Sequence, residues 1–310
     1  MIQTVWIKQQ RNISEARFQL NGRHCYISGD NNQGKTTLLE AIYLACKQEP
    51  PTRSDIFQRI QYDQEESIIG VDLVEDENKR IYFKCHANGK KECFVNDKRE
   101  AKKNAEKRAI SYISADALHL FQKDPAFRRS VLDQWCADVI PDYKEDLKQY
   151  ERTLRQRNKY LKQDSCDIAY LDTLNKTLVL YGSKLVFYRK KGVLLIADGL
   201  KAFIDLVPNL PKMDTVLYVI ARITEDELIT ESQYREVFLK ALERDREKEK
   251  ILGYTLSGPH RDDFDIRIDG RSIYDFYSRG INRIFSILFY CTLLDLKHSS
   301  LYKACLLCDD

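Results

Sequence analysis

Short runs in which apolar and polar residues alternate dominate the first hundred positions of the chain. Residues 5–7, 18–20, 25–28, 68–74, 81–86 and 93–95 carry the strand pattern, and the dipeptides Asn88-Gly89 and Asn96-Asp97 stand where tight turns would join such strands. One helix is predicted among them, because Leu38, Ile42 and Ala45 recur at helical spacing. Over residues 125–250 the period lengthens. Within 143–162, for example, Leu147, Tyr150, Leu154 and Leu161 fall on one helix face. Pro141, Pro208 and Pro211 keep a single heptad run from extending into a long coiled-coil arm. After residue 251 alternation returns over 264–268, Asp269-Gly270 predicts a hairpin turn, and a helix pattern covers 282–296. An apolar run at 304–308 then ends in Asp309 and Asp310.

This order predicts an α/β chain in three stretches. A β-rich lobe over 1–120 is interrupted by a helical lobe over 121–250, and the chain re-enters the first lobe over 251–310. Composition changes little in that picture. With 310 residues and 43% apolar content the chain can bury a large core, which excludes disordered and fibrous classes. A net charge of +3 is too small to mark a nucleic-acid binder, so any such surface must come from local clustering. No apolar run reaches the ~20 residues of a membrane span and no signal peptide opens the chain, so a cytoplasmic protein with no membrane partner is expected. The nine scattered cysteines read as reduced thiols, without the paired spacing of a zinc site.

The sharpest chemical signal is Gly29-Asp30-Asn31-Asn32-Gln33-Gly34-Lys35-Thr36, followed by Thr37. It matches the phosphate-loop pattern of Gly, four residues, Gly, Lys and Ser or Thr. Its glycines permit tight turns, its amides point at phosphate oxygens, Lys35 meets the β and γ phosphates, and Thr36 offers a hydroxyl to Mg²⁺. The expected strand 25–28 before it and helix after it supply the required context. ATP and Mg²⁺ are therefore the expected cofactors.

Such ATPases need carboxylates at the end of a buried strand. Asp309 is the candidate for the metal shell and Asp310, with Lys35, for catalysis, Asp310 by orienting the attacking water. Ser278 and Gly280 open the helix before that strand. They read either as an ordinary capped helix start or as the ABC-type element that meets the γ-phosphate of an opposing subunit.

Taken in order, these segments resemble the RecF family of bacterial recombination proteins, from Trp6 to Asp310. Arg11-Asn12 is similar to the family's early Arg-Asn pair, which adds both to the nucleotide-binding candidates. Arg128-Arg129 matches a Pro-x-x-Arg-Arg stretch, and Gly258-Pro259-His260-Arg261-Asp262-Asp263 is the most specific match. That block also reads structurally, as a turn stapled by Arg261 and Asp262.

The resemblance implies an ABC-type P-loop ATPase head with a helical second lobe, ATP-dependent homodimerisation, slow ATP hydrolysis, and binding to DNA at gaps or single-to-double-strand junctions. It also implies RecR-like and RecO-like partners. Ile281, followed by Asn282, stands where the family signature has Gln after Gly280, a departure at the γ-phosphate-sensing position that leaves a nucleotide-binding scaffold with little hydrolysis as the alternative. The family also continues past the strand-end acids, so a piece of a longer chain is expected.

Two basic segments are candidate DNA contacts. Over 84–109 nine bases, among them Lys102 and Lys103, face four acids. Over 148–162 six bases, among them Arg152, Arg155, Arg157 and Lys159, face one. Each reads either as a solvated face or as a sequence-independent phosphate-binding surface.

Overall fold

A computed structural model of the chain describes residues 2–22, 24–51, 57–74, 79–101, 104, 110–163, 167–220, 230–298 and 305–309. It forms two compact units. The first comprises Met1–Leu118 with His298–Asp310, and the second His119–Lys297.

In the first unit, strands β1 (Ile2–Gln10), β2 (Ile13–Gln19), β3 (Glu66–Leu73), β4 (Lys79–His86), β5 (Lys91–Val95) and β6 (Lys98–Arg99) make an antiparallel sheet in the order β2-β1-β3-β4-β5-β6. Alternation assigns its faces. Val5, Ile7, Ile69, Val71, Ile81 and Phe83 are buried against helix α1 (Lys35–Lys47), which contributes Leu38, Ala41, Ile42 and Ala45 to the same core. On the other face Trp6 lies across Gly70. A Cβ on that glycine would sit 1.9 Å from the indole, so only glycine seats the ring there. The turn between β5 and β6 places Asn96 (φ 47°) and Asp97 (φ 64°) in the left-handed region, the signature of a type I′ hairpin.

A second, parallel pair joins β7 (Ile110–Ile113) to β11 (Cys305–Cys308), aligning Cys308 with Ile113. The ladder extends one residue further, because the Asp309 N–H donates to the Ile113 carbonyl at 2.9 Å. The strand expected at 25–28 does not form. These residues pair with no strand among the described residues, and Tyr26 is 95% exposed. Alternation alone cannot make a strand, whose stability comes from cross-strand neighbours.

The second unit is helical, with α2 (Pro125–Val139), α3 (Tyr143–Leu161), α4 (Ile168–Asp205), α5 (Glu231–Arg244), α6 (Arg246–Leu252), α7 (Ile273–Phe276) and α8 (Arg279–His298). Their starts are legible in local chemistry. The Asp124 carboxylate accepts from the Phe127 N–H ahead of Pro125, and Thr230 with Gln233 forms a reciprocal capping box. Helix α4 runs 38 residues, about 57 Å at 1.5 Å per residue, in the proline-free stretch between Pro141 and Pro208. It is no free arm. Leu178, Leu185, Val193, Ile196 and Leu200 are buried along it, and its Gly192 and Gly199 admit Trp135 of α2 and Thr292 of α8 at close range.

Residues 251–297 were expected to return to the first lobe, but they group with this helical unit. Strand β9 (Asp263–Ile268) pairs with β8 (Thr215–Val219) from within the insertion and with β10 (Arg271–Ser272). Phe264, Ile266, Phe285 and Phe289 fill the same core as α4. A hydrophobic pattern shows that a segment is buried, not which core buries it.

Candidate nucleotide-binding site

The phosphate loop is built by backbone torsions that its sequence permits. Asn32 (φ 65°) and Gly34 (φ 90°) adopt left-handed conformations, one tolerated by asparagine and the other by glycine. A Cβ on Gly34 would also press on Ile13 at 3.1 Å. Helix α1 starts directly behind the loop, with no side-chain cap on its leading amides and no acid in its first turn. That helix start is therefore suited to an anion. Asp30, Asn31, Asn32 and Gln33 are exposed, whereas Thr37 is buried beneath them.

Lys35 folds back over the loop, its ammonium donating to the carbonyls of Gly29 (2.7 Å) and Asp30 (2.8 Å). The Thr36 hydroxyl donates to Asp309 Oδ1 at 2.9 Å, bringing the strand-end carboxylate to the loop. The Tyr112 hydroxyl on β7 donates to the other oxygen at 2.7 Å. Burial, together with that hydrogen bond, pushes the Tyr112 pKa well above the usual phenol range, so it remains a donor that orients Asp309.

The β1–β2 turn lies over the same loop. Asn12 Nδ2 donates to the Asn32 carbonyl at 2.8 Å, and Arg11 pairs with Glu40 of α1 at 2.9 Å. Arg59, almost wholly buried, donates to both carboxylate oxygens of Glu40.

These residues fit a nucleoside triphosphate with Mg²⁺. The loop amides and Lys35 suit its phosphates, and the Thr36 hydroxyl with the Asp309 carboxylate offers the hard oxygen donors that Mg²⁺ takes. Asp310, the expected water-orienting acid, lies outside the described residues.

The sequence pattern singled out Lys35, Thr36 and Asp309, and the family resemblance added Arg11 and Asn12; the structure brings them together. It did not single out Tyr112, Glu40 or Arg59. Glu40 carried no periodic signal, because two residues beyond Leu38 it lies off the face of Leu38, Ile42 and Ala45, on the side of Thr37 and Leu44.

In the second unit, Ser278 and Gly280 are exposed at the start of α8. The Ile281 N–H reaches Ser278 Oγ at 3.4 Å, and Asn282 is buried, its amide donating to the carbonyls of Tyr277 (2.9 Å) and Ser278 (3.1 Å).

Of the basic candidates on α3, Arg152, Arg155 and Lys159 are exposed and, with Lys148, form one face at four-, three- and four-residue spacing. Arg157 does not belong with them. Its side chain is fully buried, bonded to Glu249 (2.6 Å), Asn175 (2.7 Å) and Thr255 (2.7 Å), so it cannot touch DNA phosphates from there. Two residues beyond an exposed position on a helix lies the opposite side, which is why a charge count misplaced it. Lys102 and Lys103 lie outside the described residues.

The block at 258–263 is stapled within the helical unit, though mainly by partners other than Arg261, which is exposed. Arg189 donates to the Pro259 carbonyl and Arg129 to the Asp262 carbonyl, each at 2.6 Å. Tyr218 donates to the Asp262 carboxylate at 2.8 Å, and Arg128 pairs with Asp263.

A phosphate loop opening a buried helix, a strand-end carboxylate closing on it and an inserted helical unit define an ABC-type P-loop ATPase head. An AAA domain family model matches residues 6–297. The chain belongs to the RecF family. It is 30% identical to the DNA replication and repair protein RecF of Lactobacillus johnsonii, over 94% of this chain and 80% of that protein. It is 29% identical to the protein of the same name from Bacillus subtilis, over 97% of this chain and 82% of the relative. A solved structure of the recombination mediator protein RecF-ATP in the RecFOR pathway has the same fold, with a TM-score of 0.78 and 24% identity over 100% of this chain and 84% of that one.

Proposed function

We propose that this protein binds DNA in an ATP-dependent manner during recombinational repair and replication-fork recovery, gripping gapped or junction DNA as an ATP-gated dimer that hydrolyses ATP slowly. The observation that carries the reading is the closure of Asp309 onto Thr36 at the mouth of an uncapped helix start, which prepares one place for a triphosphate and its cation. Bound Mg²⁺ would neutralise phosphate charge there. Lys35 and the loop amides would hold the phosphates, and the exposed bases Arg152, Arg155 and Lys159 would neutralise DNA backbone without reading sequence. The relatives' names support the repair assignment and, for a protein of the RecFOR pathway, RecR-like and RecO-like partners. The proposed location is the cytoplasm; among the described residues no helix is long and apolar enough to cross a membrane.

Sedimentation with and without ATP and Mg²⁺ tests the gate, comparing the chain with Lys35→Ala. A dimer is expected only for the unmutated protein with nucleotide. Identical behaviour of the two proteins rejects it.

One observation favours a second reading, a nucleotide-binding scaffold with little hydrolysis. Asn282, in the region where the family signature has Gln, spends its amide on its own helix start. Single-turnover ATP cleavage with and without gapped DNA separates the two, because a scaffold shows no stimulation by DNA.

A further inference from the structure

Two guanidinium groups share one buried carboxylate beside the phosphate loop. Arg59 donates to both oxygens of Glu40, one of them at 3.2 Å, and Arg11 approaches Oε2 at 2.9 Å. The side chains of Arg59 and Glu40 are 1% and 5% exposed, whereas that of Arg11 is 35% exposed. Arg11 also sits on a short tether. Its backbone, left-handed at φ 48°, donates to the Arg59 carbonyl at 2.8 Å, and its neighbour Asn12 is bonded to the loop at Asn32.

The two arginines are not equivalent. Because Arg59 engages both oxygens of Glu40, Arg11 can depart without stranding a buried charge. Without Arg59, the departure of Arg11 would leave the carboxylate buried and alone, which is strongly unfavourable. Arg59 thus sets how easily Arg11 is released.

We infer that Glu40 and Arg59 are positioning residues that park Arg11 and release it to a phosphate of the nucleotide on the loop. The inference rests on the proposed nucleotide-binding reading and adds to it a control of that site. The step is an exchange of ion-pair partners. No covalent bond forms or breaks.

The test is equilibrium binding of a fluorescent ATP analogue with Mg²⁺ to the full chain and to Arg11→Ala, Arg59→Met, Glu40→Gln and the Glu40→Gln/Arg59→Met double variant. Arg11→Ala should bind about tenfold more weakly, the loss of one charge-assisted hydrogen bond. Arg59→Met should weaken binding by a similar factor although Arg11 is intact, because Glu40 then retains Arg11. Glu40→Gln should bind at least as tightly as the unmutated chain, and the double variant should recover to within about threefold of it.

A merely structural role predicts weakening in every variant. The inference is overturned if Arg11→Ala binds like the unmutated chain, or if Glu40→Gln weakens binding as much as Arg59→Met. Should Arg59→Met fail to fold, the sign of the Glu40→Gln effect decides alone. Failure of the underlying reading looks different: Lys35→Ala would then bind no worse than the unmutated chain, and both ideas would fall together.

Discussion

Thr36 and Asp309 are 273 residues apart in sequence, yet the threonine hydroxyl donates to the aspartate carboxylate at 2.9 Å. One sits at the start of α1 and the other just past β11, and the parallel pairing of β11 with β7 fixes the second against the first. Hydroxyl and carboxylate would be redundant as a mere loop staple, since Tyr112 already anchors Asp309. As two oxygen donors facing a phosphate loop they suit a hard divalent cation.

Removing either donor should therefore weaken nucleotide binding only when the cation is present. For Asp309→Asn and Thr36→Val we expect affinity for ATP to fall about tenfold or more in Mg²⁺, by analogy with the loss of an outer-shell metal partner, and to change little in a chelator. Titration calorimetry in the two buffers checks this. An equal loss in both would assign the pair to holding the loop rather than the metal.

Arg157 and Arg155 are neighbours on α3 with opposite fates. Arg157→Ala would leave Glu249 as an uncompensated buried charge, a loss of about 3–5 kcal/mol. Arg155, whose side chain is 71% exposed and loosely paired with Glu151, should cost less than about 0.5 kcal/mol on the same change. Urea unfolding of both variants gives the comparison. Comparable midpoints would contradict the assignment of Arg157 to the core.

These two arginines also show what the sequence could and could not reveal. The phosphate loop was legible because its constraints are local: two glycines, a lysine and a hydroxyl within eight residues. The strand ending at Asp309 was legible from an apolar run that stops at acids. Arg157 was not, because charge counts ignore which side of a helix a residue occupies. Tyr112 was missed because β7 is four residues long, too short for its alternation to stand out. The placement of 251–297 was misjudged for a different reason. Strand β9 finds its partner β8 some fifty residues upstream, a pairing no local pattern encodes. The segment at 25–28 failed in the opposite direction, with a local pattern but no ladder partner among the described residues.

The exposed face of α3 gives a prediction for DNA. If Lys148, Arg152, Arg155 and Lys159 each neutralise a phosphate, replacing all four with glutamine should lower the slope of log affinity against log salt by roughly 3 to 4, since each contact on duplex DNA contributes about 0.9. Affinity should fall for every duplex sequence alike, because phosphate contacts carry no base readout. Fluorescence anisotropy on a gapped duplex over a range of salt concentrations measures the slope. An unchanged slope would return this face to solvent.

His260 couples the stapled block to pH. Its Nδ1 meets the Tyr150 hydroxyl at 2.7 Å and its Nε2 the Thr255 carbonyl at 3.1 Å, which assigns the neutral tautomer protonated at Nε2. Burial pushes its pKa down to about 4, the Thr255 carbonyl opposes that change, and the charges of Arg261, Arg129 and Arg189 reinforce it. The unfolded chain begins to take up this proton near the ordinary value of 6.5, whereas the folded chain resists until about 4. Above 6.5 both states are neutral and the group has no effect. Between 6.5 and 4 the unfolded state binds more protons, so stability falls as pH falls, and below 4 the loss levels off. The full difference is on the order of 3 kcal/mol, since each tenfold change in proton affinity is worth about 1.36 kcal/mol. Carboxylates titrate over part of the same range, so the measurement must subtract them. Urea unfolding of the chain and of His260→Gln between pH 7 and 4 does so, because glutamine can hydrogen-bond there but takes up no proton. The histidine protein should lose about 3 kcal/mol relative to the glutamine variant across that interval. Parallel curves would mean that His260 already shares its proton with water in the folded state.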